Sequence, residues 1–251
     1  AMVLRTDAPV VWDKGSIAWG SVNVKEAQRL FEALEFNSLY ERLGEMLEDT
    51  LPTIASETNL LEAEVLKASS SSECAKMLSS IATKGKPLSL GWIADVDGSL
   101  LALAVLRDEE TAAVLVIEHG LLQDAEVVEI LGELTSSEGV GFDTHNAKGL
   151  SRGLRQLGLS GDGLRVDSAI AGYLLDPTGG RFVLDDLVMR YCRSEVARDG
   201  AAVTGQLDLG GDGQDPFLDI ARDALAIRRL APVMADLIQD RSMTWLYEEL
   251  E

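Results

Sequence analysis

Apolar residues recur along this chain at two spacings, every three to four residues or every second one, and the changes between them mark its elements. Asn23 has the chemistry of a helix N-cap, with Glu26 three residues on. Ala27, Leu30, Phe31 and Leu34 then fall on one helical face, and Phe36, Leu39, Tyr40, Leu43 and Leu47 on a second. The period is lost over residues 48–72, which contain Pro52 and the run Ser69–Ser72, and this stretch reads as a surface connector. A helix starts near Ser72, buries Cys74, Met77, Leu78 and Ile81, and stops at Gly85. Three apolar runs follow, Leu88–Ala94, Leu100–Leu106 and Ala113–Ile117. The Asp97-Gly98 turn and the acidic turn Asp108–Glu110 join them into an antiparallel meander.

The second half alternates between the two periods. Ala125–Leu134 reads as an amphipathic helix, Gly139–Phe142 as a short buried strand and Ala147–Leu157 as a helix. Leu164–Asp167 is extended, and Ala169, Ile170, Tyr173 and Leu174 form the stripe of the next helix. Leu184–Cys192 is helical, whereas residues 199–215 mix glycines with acids and read as a loose loop. Pro216 suits a helix start, and Leu218, Ala221, Leu225, Ile227, Leu230, Val233 and Leu237 mark a long buried helix. This order predicts an α/β fold with a mixed sheet flanked by helices, preceded by a short helical appendage.

Composition narrows the function. With 251 residues, 46% of them hydrophobic, the chain can build a core, and no apolar run is long enough to span a membrane. Cys74 and Cys192 are far apart and fit reduced thiols of a cytoplasmic protein, which excludes a cysteine zinc site. The net charge of −20 opposes a free-standing nucleic-acid-binding surface. No nucleophile elbow, phosphate loop or dinucleotide fingerprint occurs, and the acidic cluster Gly210-Gly211-Asp212-Gly213 would repel phosphate.

The stretch from Gly139 to Pro177, with VGFDTHNAKGL, the aspartate Asp167 and YLLDP, resembles the middle of the 3'-5' exonuclease domain of bacterial DNA polymerase I. Leu4–Pro9 (LRTDAP) and Leu34–Leu39 (LEFNSL) resemble the end of the 5'-nuclease domain of the same polymerases. Trp245–Glu251 (WLYEELE) is similar to the segment that leads into their polymerase domain, which this sequence lacks. The resemblance covers about residues 4–47 and 73–251 and implies a ribonuclease-H-like fold. It divides the chain into a 5'-nuclease tail with linker helices (1–50), a linker (51–72) and an exonuclease-like domain (73–251). It implies a bacterial, cytoplasmic protein of DNA replication and repair, whose partners are the polymerase and 5'-nuclease domains of the same chain. DNA is then met through the parent protein, weakly or not at all by this stretch. Magnesium serves the parent polymerase, and no cofactor is expected here.

Hydrolysis of a terminal phosphodiester in that family needs two metal ions about 4 Å apart, and hard cations need converging carboxylates. The family supplies them from a D-x-E on the first strand, an aspartate after the fourth strand and a Y-x-x-x-D on the last long helix. Here the matching positions hold Gly91 and Ile93, then Ala147, then Asp219 in place of the tyrosine, followed by Asp223. One of the four carboxylates remains, so the resemblance implies a vestigial site, its cleft filled by apolar side chains such as Trp92 and Ile93. A competing register takes Asp95 and Asp97 as a D-x-D pair with Asp143 and Asp223, giving an active exonuclease. A third alternative is an acidic interaction module that copies the charge of DNA. His119 and His145 read as surface or loop residues, and Asp185-Asp186 as carboxylates at a helix start.

Overall fold

The computed structural model describes residues 30–31, 59–82, 85–178, 180–198 and 215–250. The chain divides into two compact units, Ala1–Ser56 and Glu57–Glu251, and the sheet and its helices belong to the second. Apart from Leu30 and Phe31, which are helical, the expected helices of residues 23–47 lie outside the described residues, as does most of the loop at 199–215.

The elements run β1 (Asn59–Leu61), β2 (Glu64–Lys67), α1 (Ser71–Ala82), β3 (Leu88–Ala94), β4 (Leu100–Asp108), β5 (Ala113–Glu118), α2 (His119–Leu122), α3 (Ala125–Thr135) and β6 (Phe142–Thr144). They continue with α4 (Ala147–Gln156), β7 (Leu164–Asp167), α5 (Ser168–Leu175), α6 (Leu184–Cys192), β8 (Ser194–Val196), α7 (Pro216–Asp240) and α8 (Thr244–Leu250). Six strands form one sheet in the order β2-β5-β4-β3-β6-β7. β3, β4 and β5 are the expected antiparallel meander, whereas β6 and β7 add in parallel beside β3. A parallel neighbour needs a crossover, and α4 provides it between β6 and β7.

Helices cover both faces, so the central strands read as continuous apolar runs. On one face α1, α3 and α4 bury Cys74, Leu78, Leu131, Leu150 and Leu154 against Leu88, Leu90, Leu103 and Leu115. On the other, α5, α6 and α7 bury Leu175, Leu187, Leu225 and Leu230 against Ala102, Ala104, Val114 and Val116. Small residues on β4 let α7 approach closely, and the tightest point is at Gly91 of β3. A Cβ built there would stand 2.0 Å from the carbonyl oxygen of Ile220 and 3.1 Å from the amide nitrogen of Ala224. Strand backbone meets helix backbone with no side chain between them.

Two expectations are corrected. The linker of residues 51–72 is structured in its second part. β2 pairs in parallel with β5 at the edge of the main sheet, and β1 pairs in parallel with β8 in a separate two-stranded sheet. Leu61 is buried at 2% exposure, and Lys67 pairs with Glu118 at 2.7 Å. Short strands with charged ends are the usual form of a sheet edge and carry little periodicity. The strand expected at Gly139–Phe142 instead starts at Phe142, because Gly139 and Gly141 are taken up by the turn before it.

Gly91→Ala is expected to destabilise the domain by about 3 kcal/mol, the upper part of the overpacking range, because backbone atoms on both sides must move. At this size that is a fall in Tm of about 6–12 °C. Gly120→Ala, whose Cβ meets nothing within 4 Å, serves as the neutral control in urea titrations of both variants.

Candidate active site

The α7 side of the sheet is where the sequence places its site residues. Gly91 and Ile93 alternate with Leu90 and Trp92 along β3, so the first two face α7. Ile93 packs in the α7-side core and supplies no ligand. Trp92 lies on the opposite face, where its ring would touch a Cβ at Gly149 of α4 and its Nε1 donates to the His145 carbonyl at 3.0 Å. The expectation that Trp92 and Ile93 together fill one cleft is therefore corrected: adjacent strand residues point to opposite faces.

Ala147 opens α4 and is 3% exposed. Its amide donates to Asp167 Oδ2 at 2.7 Å, while the amides of Asn146 and Ala169 donate to Oδ1 at 3.1 and 2.9 Å. Asp167 thus ties the starts of α4 and α5 together. Its own amide donates to Tyr247 Oη at 2.6 Å, which brings in α8.

Asp219 and Asp223 are one turn apart on α7 and share a face. Both turn toward Arg198, a residue that no motif or spacing singles out. Arg198 Nε and Nη2 donate to the two oxygens of Asp185 at 3.1 and 2.6 Å. Nη2 also donates to Asp223 Oδ1 at 2.6 Å. Nη1 lies 3.6 Å from Asp219 Oδ1 and 3.4 Å from the Asp219 carbonyl oxygen. Arg222 Nη1 stands 3.5 Å from the same Asp219 carboxylate. Three carboxylates thus surround one guanidinium, whose planar fork suits this task. Burial acts to lower the pKa of Arg198, but Asp185 and Asp223 outweigh it and hold the group above its ordinary value. Burial pushes the Asp223 carboxyl upward against the pull of Arg198, with Asp185 and Asp219 adding like charge. A guanidinium so held can neutralise charge, but it cannot exchange ligands or activate water as a metal ion does.

The competing carboxylate set is not assembled. Asp97 Oδ1 accepts from the amide and hydroxyl of Ser99 at 2.8 and 2.7 Å, the Asp95 carbonyl accepts from the Gly98 amide, and both residues belong to the β3–β4 turn. Among the described residues no group of three His, Cys, Asp or Glu side chains is arranged to hold a metal ion. Gly91 has no room for a carboxylate, Ile93 and Ala147 are apolar, and Arg198 already occupies the remaining acids, so this donor set does not fit a magnesium pair.

Asp143 lies elsewhere in this layer. It sits opposite Ser89 in the β3–β6 register, is 4% exposed, and neither its Oδ1 nor Ser89 Oγ has a hydrogen-bond partner in the protein. Burial pushes its pKa up to about 6, against the pull of Arg165, Arg228 and the Val166 amide. His119 meets the Leu100 carbonyl at 2.8 Å, and the half-buried His145 meets Ser168 Oγ at 2.8 Å. Burial lowers the His145 pKa and favours the neutral ring. Asp185 and Asp186 stand in the first turn of α6 as expected, and Asp185 also holds Arg198.

No family model and no curated protein matches this chain. Solved structures do. The POL domain of Pol1 from M. smegmatis, in complex with DNA primer-template and dNTP, aligns over 70% of this chain and 28% of its own, at TM-score 0.55 and 21% identity. A protein from Bifidobacterium adolescentis aligns over 76% of this chain and 46% of its own, at 0.56 and 17%. Brucella melitensis NrnC aligns over 76% and 87%, at 0.53 and 14%. The fold is that of the ribonuclease-H-like 3'-5' exonucleases. The chain thus spans less than half of the mycobacterial and bifidobacterial proteins it matches.

Two measurements probe this layer. Asp143 has a folded pKa near 6 against about 3.9 unfolded, so its folded form binds the proton more tightly. Stability from this group is greatest at low pH and is lost as pH rises through 6. Between pH 5 and pH 8 the loss is on the order of 1 kcal/mol. Urea titrations of Asp143→Asn should lack that part of the slope. Arg198→Met leaves three carboxylates without their shared partner and should cost about 1–2 kcal/mol, between the exposed and buried ion-pair ranges. Asp185→Asn in the same background should recover part of it in the same titration.

Proposed function

We propose that this chain is a segment of a bacterial DNA polymerase I, whose 3'-5' exonuclease-like domain is catalytically inactive and serves as a structural spacer between the 5'-nuclease and polymerase domains. The order of the sequence motifs and the likeness to a Pol1 domain support the polymerase origin. One observation carries the inactivity: Arg198 provides the positive charge among Asp185, Asp219 and Asp223 where a working exonuclease would need a divalent cation. The contact of Ile220 with Gly91 closes the place from which the first-strand aspartate would reach it. In this reading the parent protein replicates and repairs DNA in the cytoplasm and uses magnesium in its polymerase domain. DNA is held mainly by the other domains of that assembly, and the affinity of this domain alone is weak.

The test is incubation of the chain with 5'-labelled single-stranded DNA and magnesium or manganese. The substrate should remain full length over hours at micromolar protein. Shortening from the 3' end that disappears in Asp223→Ala would overturn the reading and restore the active exonuclease in its place.

A further inference from the structure

The outer face of α4 is basic, although the chain as a whole is acidic. Acids outnumber Lys and Arg by 42 to 22, yet α4 (AKGLSRGLRQ) contains no acid. Lys148, Arg152, Arg155 and Gln156 are exposed and line a shallow cleft of about 370 Å³. At positions i, i+4 and i+7 the three cations form one row about 10 Å long. Among the described residues none of the three has a carboxylate within ion-pair distance. The opposite side of the helix is fixed: a Cβ at Gly149 would stand 2.1 Å from the Trp92 ring, and one at Gly153 would stand 2.5 Å from Leu100. Gln156 Nε2 donates to the Asp97 carbonyl at 3.1 Å, and the Arg152 methylenes pack over Gly98. The row is therefore held on a rigid platform, on the face of the sheet opposite α7 and the Arg198 cluster.

We propose that this row docks the phosphodiester backbone of duplex DNA, by charge and without reading sequence. The choice of partner follows from what the face lacks. The core of a protein interface is usually apolar with well-packed anchors, and among the described residues none of the exposed large apolar side chains lies on α4. Stacking of unpaired bases needs aromatic rings, and α4 carries none. Two guanidinium forks, an ammonium and a side-chain amide are donors suited to phosphate oxygens. Against a chain of charge −20 such docking is weak and steeply salt-dependent.

The whole 251-residue chain is titrated against a fluorescein-labelled duplex of about 20 base pairs by anisotropy, from about 20 to 200 mM salt. Binding at the lowest salt is expected, with a slope of log K against log salt of about −2 to −3, for three neutralised phosphates. Lys148→Gln/Arg152→Gln/Arg155→Gln should weaken it at least tenfold. Lys76→Gln/Lys86→Gln/Arg181→Gln, equal in charge change but spread elsewhere, should change it less than twofold. Circular dichroism melts of both triples keep loss of fold apart from loss of binding. Absence of binding by the wild-type chain at the lowest salt, equal loss in both triples, or competition by poly-glutamate as strong as by unlabelled duplex would each overturn the proposal.

Discussion

The contact on which the rest of this domain depends is that between Gly91 of the central strand and the Ile220 carbonyl of α7. A helix packed on a sheet is normally held off by a layer of side chains. Here the strand contributes none at the point of contact, and α7 descends until backbone meets backbone. That approach lets α7 bury Ala221, Ala224 and Leu225 against small residues of β4 and sets Asp219 and Asp223 close beneath the α6–β8 segment. It also occupies the space that a strand carboxylate would need. The absence of a side chain at position 91 and the seating of α7 are therefore one physical fact.

The same closeness creates an electrostatic difficulty. Asp185, Asp219 and Asp223 gather within reach of one point, and without a counter-charge their repulsion would push α6 and α7 apart. Arg198 meets them from the end of β8, which follows directly on α6 because Arg193 adopts a left-handed conformation at the helix end. A guanidinium on the chain is present at every metal concentration and stays protonated at every accessible pH. A metal ion would supply more charge and could bind water, but it would also need ligands the site does not have.

The strands at Leu88, Leu100 and Ala113 were legible in the sequence because long apolar runs bounded by turn residues are too short for a helix that would bury them all round. The long helix after Pro216 was legible because its apolar period holds from Leu218 to Leu237. β1, β2 and β8 were not: each is three or four residues long, and their pairing partners are distant in the chain. Gly91, Ile93 and Ala147 could be recognised as positions without ligands, since the absence of a side-chain oxygen is visible in a letter. Arg198 could not be recognised, since its three partners stand 13, 21 and 25 residues away and share no spacing with it. The opposed faces of Trp92 and Ile93 were in principle readable, because the period of a strand separates neighbours. Asp143 was visible as an acid, but its burial beside Ser89 was not.

Asp167 shows which acids a fold can lose and which it cannot. A carboxylate whose only partner is a bound ion leaves no backbone group unpaired when it is replaced, and where the resemblance expects such acids Ile93 and Ala147 fit within an intact core. Asp167 instead accepts from the amides of Asn146, Ala147 and Ala169, two of them at the helix start where the second motif would place its metal-binding aspartate. Without its carboxylate those amides would lie unpaired at the junction of α4, α5 and α8, at about 1–3 kcal/mol for each that is buried. An acid of this kind is part of the scaffold, and its presence says nothing in favour of catalysis. The acids that would bear on catalysis are Asp219 and Asp223, and both are already turned toward an arginine.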